Sequence, residues 1–228
     1  MKVAFVPVRS LKEVEFSEQN LNILQPYSKV GLFAAIQFQD QLPEIKKALE
    51  IFGLKVRIPK PKLHAVADGQ VLGCDVSGPK DIENEVDAFL YIGTGHFHPM
   101  ALETKTNKPI LCLNPFTSEL TETPAEEIAL LKKKNIMRLA KAKDARVLGL
   151  LVTTKLGQNE MQGYVSEVKK KLEAMGKEVY VFITELINPY DLSQFPQIEA
   201  WVNTACPRIT DDQSVYGKPL INVREILE

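Results

Sequence analysis

Three cysteines, at positions 74, 112 and 206, offer the most distinctive chemistry in this chain of 228 residues. None belongs to a Cys-x-x-Cys pair, and an odd count argues against a disulfide framework and for a cytoplasmic setting. Cys74 lies in a polar, glycine-bearing stretch, Gly69-Gln70-Val71-Leu72-Gly73-Cys74-Asp75, and Cys206 sits between Ala205 and Pro207 just after an apolar run. Thiolates are soft ligands suited to zinc or iron–sulfur chemistry, and ligands from separate domains can converge without any short motif. Free cysteines are equally at home as small inert hydrophobes, so residue type alone leaves both readings open. Cys112 falls inside the strand-like run Pro109–Leu113 and reads as packing.

Other polar residues cluster near these. His96 and His98 follow the Gly93-Thr94-Gly95 turn and read as two ligands, as a base with its orienter, or as plain loop histidines. Position 98 is histidine where a dinucleotide fingerprint needs its third glycine, so a tight turn is the better reading of the glycines. Arg208, two residues past Cys206, can pair a carboxylate bidentately, and Asp211 and Asp212 can accept from an amine or simply face water. The stretch Thr153-Thr154-Lys155-Leu156-Gly157-Gln158-Asn159 either presents backbone N–H groups and an amide to a polar ligand or is a capped loop entering a helix.

The elements that must carry these loops follow from hydrophobic pattern. Residues 2–8, Val30–Ile36, Leu54–Ile58, Val86–Ile92, Pro109–Leu113 and Val147–Thr153 read as strands, and Leu42–Phe52 has helical spacing stopped by Gly53. Further helices are expected at Ser17–Gln25, near Pro79–Glu85, near 99–105 and near 160–175. Residues 119–143 read as a charged helical connection, entered at Thr123-Pro124-Ala125-Glu126, with Lys132–Lys134, Lys141 and Lys143 on its solvated face. A net charge of −1 argues against a dedicated nucleic-acid binder, and no apolar run is long enough for a membrane span.

Four segments recur in the same order. Ser166–Val179 aligns without gaps on Pro43–Val56, Ile198–Trp201 on Val86–Phe89, and Lys218–Val223 on Lys108–Leu113, while Val147–Thr153 resembles Val30–Ile36. Internal duplication is the economical account. The expected fold is α/β: two related domains with parallel-type sheets flanked by helices, at residues 1–120 and 146–228, joined by a helix at 121–145. Functional loops of such sheets gather at strand C-terminal ends. The alignment places Cys206 opposite Thr94 and Cys74 opposite a position near Asp191, so the two thiols come from inequivalent loops and meet only if the domains face each other.

Four motifs carry a family resemblance along essentially the whole chain: Gly69-Gln70-Val71-Leu72-Gly73-Cys74, Gly93-x-Gly95-x-Phe97-His98-Pro99, Thr154-Lys155-x-Gly157-Gln158, and Asn203-Thr204-Ala205-Cys206-Pro207-Arg208-Ile209. They resemble the archaeal diphthamide synthase family, the 2-(3-amino-3-carboxypropyl)histidine synthases. The resemblance implies a 4Fe–4S cluster held by three cysteines, one from each of three domains, with S-adenosylmethionine on the open iron. It implies cleavage of the Cγ–S bond to a 3-amino-3-carboxypropyl radical, which adds to a histidine of translation elongation factor 2, by an enzyme that works as a dimer. Cys74 and Cys206 match the second and third cluster cysteines. Lys155, Gly157, Gln158, Arg208 and Asp211 fall at or beside positions near S-adenosylmethionine. The first cysteine has no counterpart, so a first-domain chain or paralogue, or an omitted N-terminal segment, is expected to supply it, in a homo- or heterodimer. Two rival readings remain: a non-catalytic scaffold or electron-delivery subunit, and a small-molecule-binding α/β protein with structural cysteines.

Overall fold

The computed structural model describes residue 6, residues 8–155 and residues 164–227, and the expected strand at 2–8 lies largely outside them. The chain divides into two compact units, Met1–Ala129 and Leu130–Glu228.

The first unit opens with α1 (Glu18–Leu24), started by a reciprocal cap between Ser17 and Asn20. β1 (Lys29–Ala34), α2 (Leu42–Ile51), β2 (Lys55–Arg57), α3 (Ser77–Asp81), β3 (Ala88–Ile92), α4 (Phe97–Glu103), β4 (Ile110–Asn114) and β5 (Glu119–Glu122) follow. Their sheet runs β2-β1-β3-β4-β5, parallel except for β5, which pairs antiparallel with β4. This corrects the expectation of an unbroken helical connection from residue 119. Glu-Leu-Thr-Glu buries only Leu120, a strand too short and polar to show a period. The helix itself, α5 (Ala125–Asp144), begins after it, with Glu126 and Glu127 in the first turn and Lys141 and Lys143 in the last, as its dipole favours.

The second unit repeats the plan with β6 (Val147–Thr153), α6 (Val165–Ala174), β7 (Glu178–Thr184), α7 (Pro189–Ser193), β8 (Ala200–Asn203), β9 (Leu220–Asn222) and α8 (Val223–Leu227). Its order, β7-β6-β8-β9, is that of β2-β1-β3-β4, and all its pairs are parallel. The repetition reaches single side chains. Ile45 and Leu49 of α2 have their counterparts in Val168 and Leu172 of α6, all four buried, each full burial contributing about 1.5–3 kcal/mol. Gly53 and Gly176 stop those two helices at φ +106° and +80°, which a side chain would strain.

Two further pairs are specific to the design. Gly31 of β1 lies beside Phe89 of β3 in the register, and Gly149 of β6 beside Trp201 of β8. A methyl at Gly31 would lie 2.6 Å from the Phe89 ring, and one at Gly149 would run into the Trp201 ring. Both sheets thus leave out a side chain so that an aromatic can lie across the first strand. Asp87 accepts from the N–H groups of Ser28 and Lys29, and Glu199 from those of Arg146 and Val147. These backbone bonds hold both carboxyls below their ordinary values. α3 and α7 each start eleven residues ahead of the following strand (88 − 77 and 200 − 189), so the counterpart of Cys74 is Leu186 rather than a residue near Asp191.

Candidate functional site

With strand order 2-1-3-4, the connections leave in opposite directions on either side of the β1/β3 and β6/β8 pairs. The carboxyl ends of those strands are therefore where an open α/β sheet forms its crevice. Each unit carries its cysteine loop at that end.

In the first unit the loop is tied to the last residue of β1. The Ala34 N–H donates to the Gly69 carbonyl at 2.9 Å, and the Val71 N–H returns a bond to the Ala34 carbonyl at 3.4 Å. Buried Gln70 accepts from the N–H groups of Val66 and Ala67, fixing the approach to the turn. Leu72 and Asp75 then exchange backbone hydrogen bonds at 3.1 and 3.0 Å, leaving Gly73 and Cys74 at the tip of a two-residue turn. Asp75 is the clamp. One carboxylate oxygen accepts from the N–H groups of His64 and Ala65 at 2.8 and 2.9 Å, the other from the N–H and hydroxyl of Ser77 at 3.0 and 2.6 Å. Burial alone would push this carboxyl up, but the four hydrogen bonds outweigh it and hold it below its ordinary value. Cys74 itself is partly exposed and not in a disulfide.

In the second unit Cys206 caps a 3₁₀ helix, Pro207–Val215, directly after β8. The amide of Asn203 makes this turn: its oxygen accepts from the Ala205 N–H at 3.0 Å, and its nitrogen donates to the Cys206 carbonyl and to Asn222 Oδ1, both at 2.9 Å. Asn222 in turn donates to the Pro207 carbonyl and to Thr210 Oγ1. Thr204 donates to the Leu151 carbonyl at 2.8 Å, locking the turn to β6. Arg208 Nε lies 2.7 Å from Asp211 Oδ2, three residues on, where a 3₁₀ helix eclipses side chains. Burial pushes the Asp211 carboxyl up, with Asp212 and Glu225 in the same sense and Arg208 and Arg138 opposing. Arg138, buried on α5, donates to the Thr210 carbonyl and to Glu225, whose other oxygen receives the Asn222 N–H. One polar network thus runs from Arg138 to the Cys206 turn. The pattern of α5 gave no hint of it, since a lone arginine on a lysine-rich helix looks solvated.

Lys155 is exposed, and its N–H is accepted at 3.1 Å by the hydroxyl of buried Thr153, which donates to the Glu185 carbonyl. Gly157 and Gln158 lie outside the described residues. The two loop histidines part company: His98 Nδ1 lies 3.2 Å from the Tyr91 hydroxyl, and His96 Nδ1 lies 3.2 Å from that of Thr123. Cys112 is buried as expected, but beside a buried carboxylate, Glu103.

A duplicated 2-1-3-4 sheet with a cysteine turn at each switch point defines a class: α/β proteins of two related units, each carrying a cysteine at the carboxyl end of its sheet. The family described as "Putative diphthamide synthesis protein" matches residues 1–227, and the chain belongs to it. It is similar to the 2-(3-amino-3-carboxypropyl)histidine synthase of Pyrococcus horikoshii, at 32% identity over 97% of this chain and 64% of that protein. Subunit 1 of the Schizosaccharomyces pombe synthase is also 32% identical, over 87% of this chain and 46% of that one. The crystal structure of Dph2 from Pyrococcus horikoshii with a 4Fe–4S cluster superposes with a TM-score of 0.78 at 30% identity, covering 92% of this chain and 59% of that chain. The chain therefore spans less than two thirds of the length of these relatives. Among the described residues no helix is long and apolar enough to cross a membrane.

Proposed function

We propose that this chain takes part in the first step of diphthamide biosynthesis, transfer of a 3-amino-3-carboxypropyl group from S-adenosylmethionine to a histidine of translation elongation factor 2 in the cytoplasm. Family membership and the cluster in the Pyrococcus horikoshii structure support the reading. The observation that carries it in this chain is that both motif cysteines are partly exposed, free of disulfides and seated on turns clamped at strand carboxyl ends, while Cys112 is buried.

That donor set suits iron. Cys74 and Cys206 would each give a thiolate to a 4Fe–4S cluster, whose chemistry when bound is to supply the electron that splits the sulfonium Cγ–S bond. Two thiolates are fewer than such a cluster takes, so a third cysteine comes from polypeptide beyond these residues, as a first-domain chain or paralogue or as an N-terminal segment, in a dimeric assembly. The residues of this chain do the positioning. Asp75 and Asn203 fix the backbone on which each sulfur rides. Arg208, oriented by Asp211, meets the amino-acid carboxylate of S-adenosylmethionine, and the family resemblance adds Lys155, Gly157 and Gln158 to the residues that bind it.

Anaerobic reconstitution of the chain, alone and with a first-domain partner, followed by absorbance and electron paramagnetic resonance, tests this. A cluster signal that needs Cys74 and Cys206, with transfer to the elongation factor on reduction, is expected. No cluster in either mixture would end the reading.

A further inference from the structure

The first unit holds a second group of ligand-type side chains, remote in sequence from both motif cysteines. His96 precedes α4, Glu103 ends it seven residues later on the same face, and Cys112 projects from β4 beneath. One ligand atom from each lies within 4.8 Å of the other two, and His96 Nδ1 stands 3.9 Å from Glu103 Oε1. The edges of a tetrahedral zinc site with bonds of about 2.0–2.3 Å are roughly 3.3–3.8 Å, so small rotamer adjustments bring the three atoms to bonding positions.

Two features suit a cation at this group, in which the Glu103 side chain is 1% exposed. The Thr123 hydroxyl donates to Glu103 Oε1 at 2.6 Å, an outer contact of the kind that orients a ligating carboxylate. The His96 side chain is 41% exposed, so an ion can reach the group from solvent. Burial pushes the Cys112 thiol up to about 12, with Glu103 and Glu122 adding to it, so without a metal it stays protonated.

We propose that His96, Glu103 and Cys112 form a binding site for a zinc-class divalent cation, separate from the iron chemistry of Cys74 and Cys206. On binding, the S–H bond breaks, the metal–sulfur bond forms, and the proton leaves to solvent. Imidazole, carboxylate and thiolate together favour zinc or cobalt over magnesium or calcium.

The test is titration of the full chain with cobalt(II) in a Cys74→Ser/Cys206→Ser background. One equivalent is expected to produce a near-ultraviolet thiolate-to-cobalt band that excess zinc abolishes. Cys112→Ser should remove the band, and His96→Ala should weaken binding at least tenfold. Should the double variant fold poorly, zinc is expected to raise the melting temperature of the wild-type chain and not that of His96→Ala, a change at a half-exposed position. No band in a folded double variant, or the same zinc-induced stabilisation in wild type and His96→Ala, overturns the assignment. Because the readouts need no iron, this site and the cluster reading stand or fall separately.

Discussion

Among the described residues, Asp75 is the side chain that most firmly ties down the Cys74 turn. Its two oxygens take four hydrogen bonds from residues 64, 65 and 77, on both sides of the cysteine. Its carboxyl lies below the ordinary value of 3.8, so its contribution is present above about pH 4 and is lost as pH falls through the depressed folded value. Amide exchange at His64, Ala65 and Ser77 should therefore quicken, beyond the intrinsic pH effect, only at the acid end. Asp75→Ala, which strands those donors, should destabilise by about 1–3 kcal/mol in denaturant unfolding and remove the acid dependence. Unchanged exchange in Asp75→Ala would show that the backbone holds the turn alone. Asp75 is visible in the sequence only as the neighbour of a cysteine. Nothing in its spacing reveals that its partners lie ten and eleven residues upstream. Asn203 is similar: it stands within a legible motif, yet its role depends on Asn222, nineteen residues on and on another strand.

At the scale of elements the duplication was readable because its two helices keep apolar spacing with no insertion, and β6 was legible from seven consecutive buried residues. β5 was not, since an edge strand that buries one side chain in four leaves no pattern. The choice of glycine in β1 and β6 was equally silent, because the requirement comes from the aromatic on the next strand. It is testable. Gly149→Ala should force Trp201 off its site between Phe182 and Phe195, and Gly31→Ala should do the same to Phe89 against Phe33, each costing about 1–3 kcal/mol by overpacking. Chemical denaturation reads the loss, and near-ultraviolet circular dichroism reports Trp201 in the first case. Paired variants, Gly149→Ala with Trp201→Leu, should recover part of it. Equal stability of Gly149→Ala and wild type would mean the sheet yields at no cost, against the close packing of protein interiors.

For the whole molecule, the chemistry turns on how many sites the motif cysteines make. Cys74 belongs to the first unit and Cys206 to the second, and their motifs are legible in the sequence, whereas a common role for them comes from the family resemblance alone, because spacing along a chain carries no distance between units. Stoichiometry decides without any distance. If one cluster takes both thiolates, Cys74→Ser and Cys206→Ser should each drop iron per chain to near zero after reconstitution with a first-domain partner, and the double variant should be no worse than either single one. Groups that act as a unit are non-additive in this way. Two independent sites would instead lose about half the iron in each single variant and all of it in the double. Cys112→Ser is the control and should keep full iron, since its thiol is buried beside Glu103 and belongs to the other proposed site. Melting curves of all three serine variants guard against loss of fold. Iron falling by half in each single variant would refute a shared cluster even if the chain proved active.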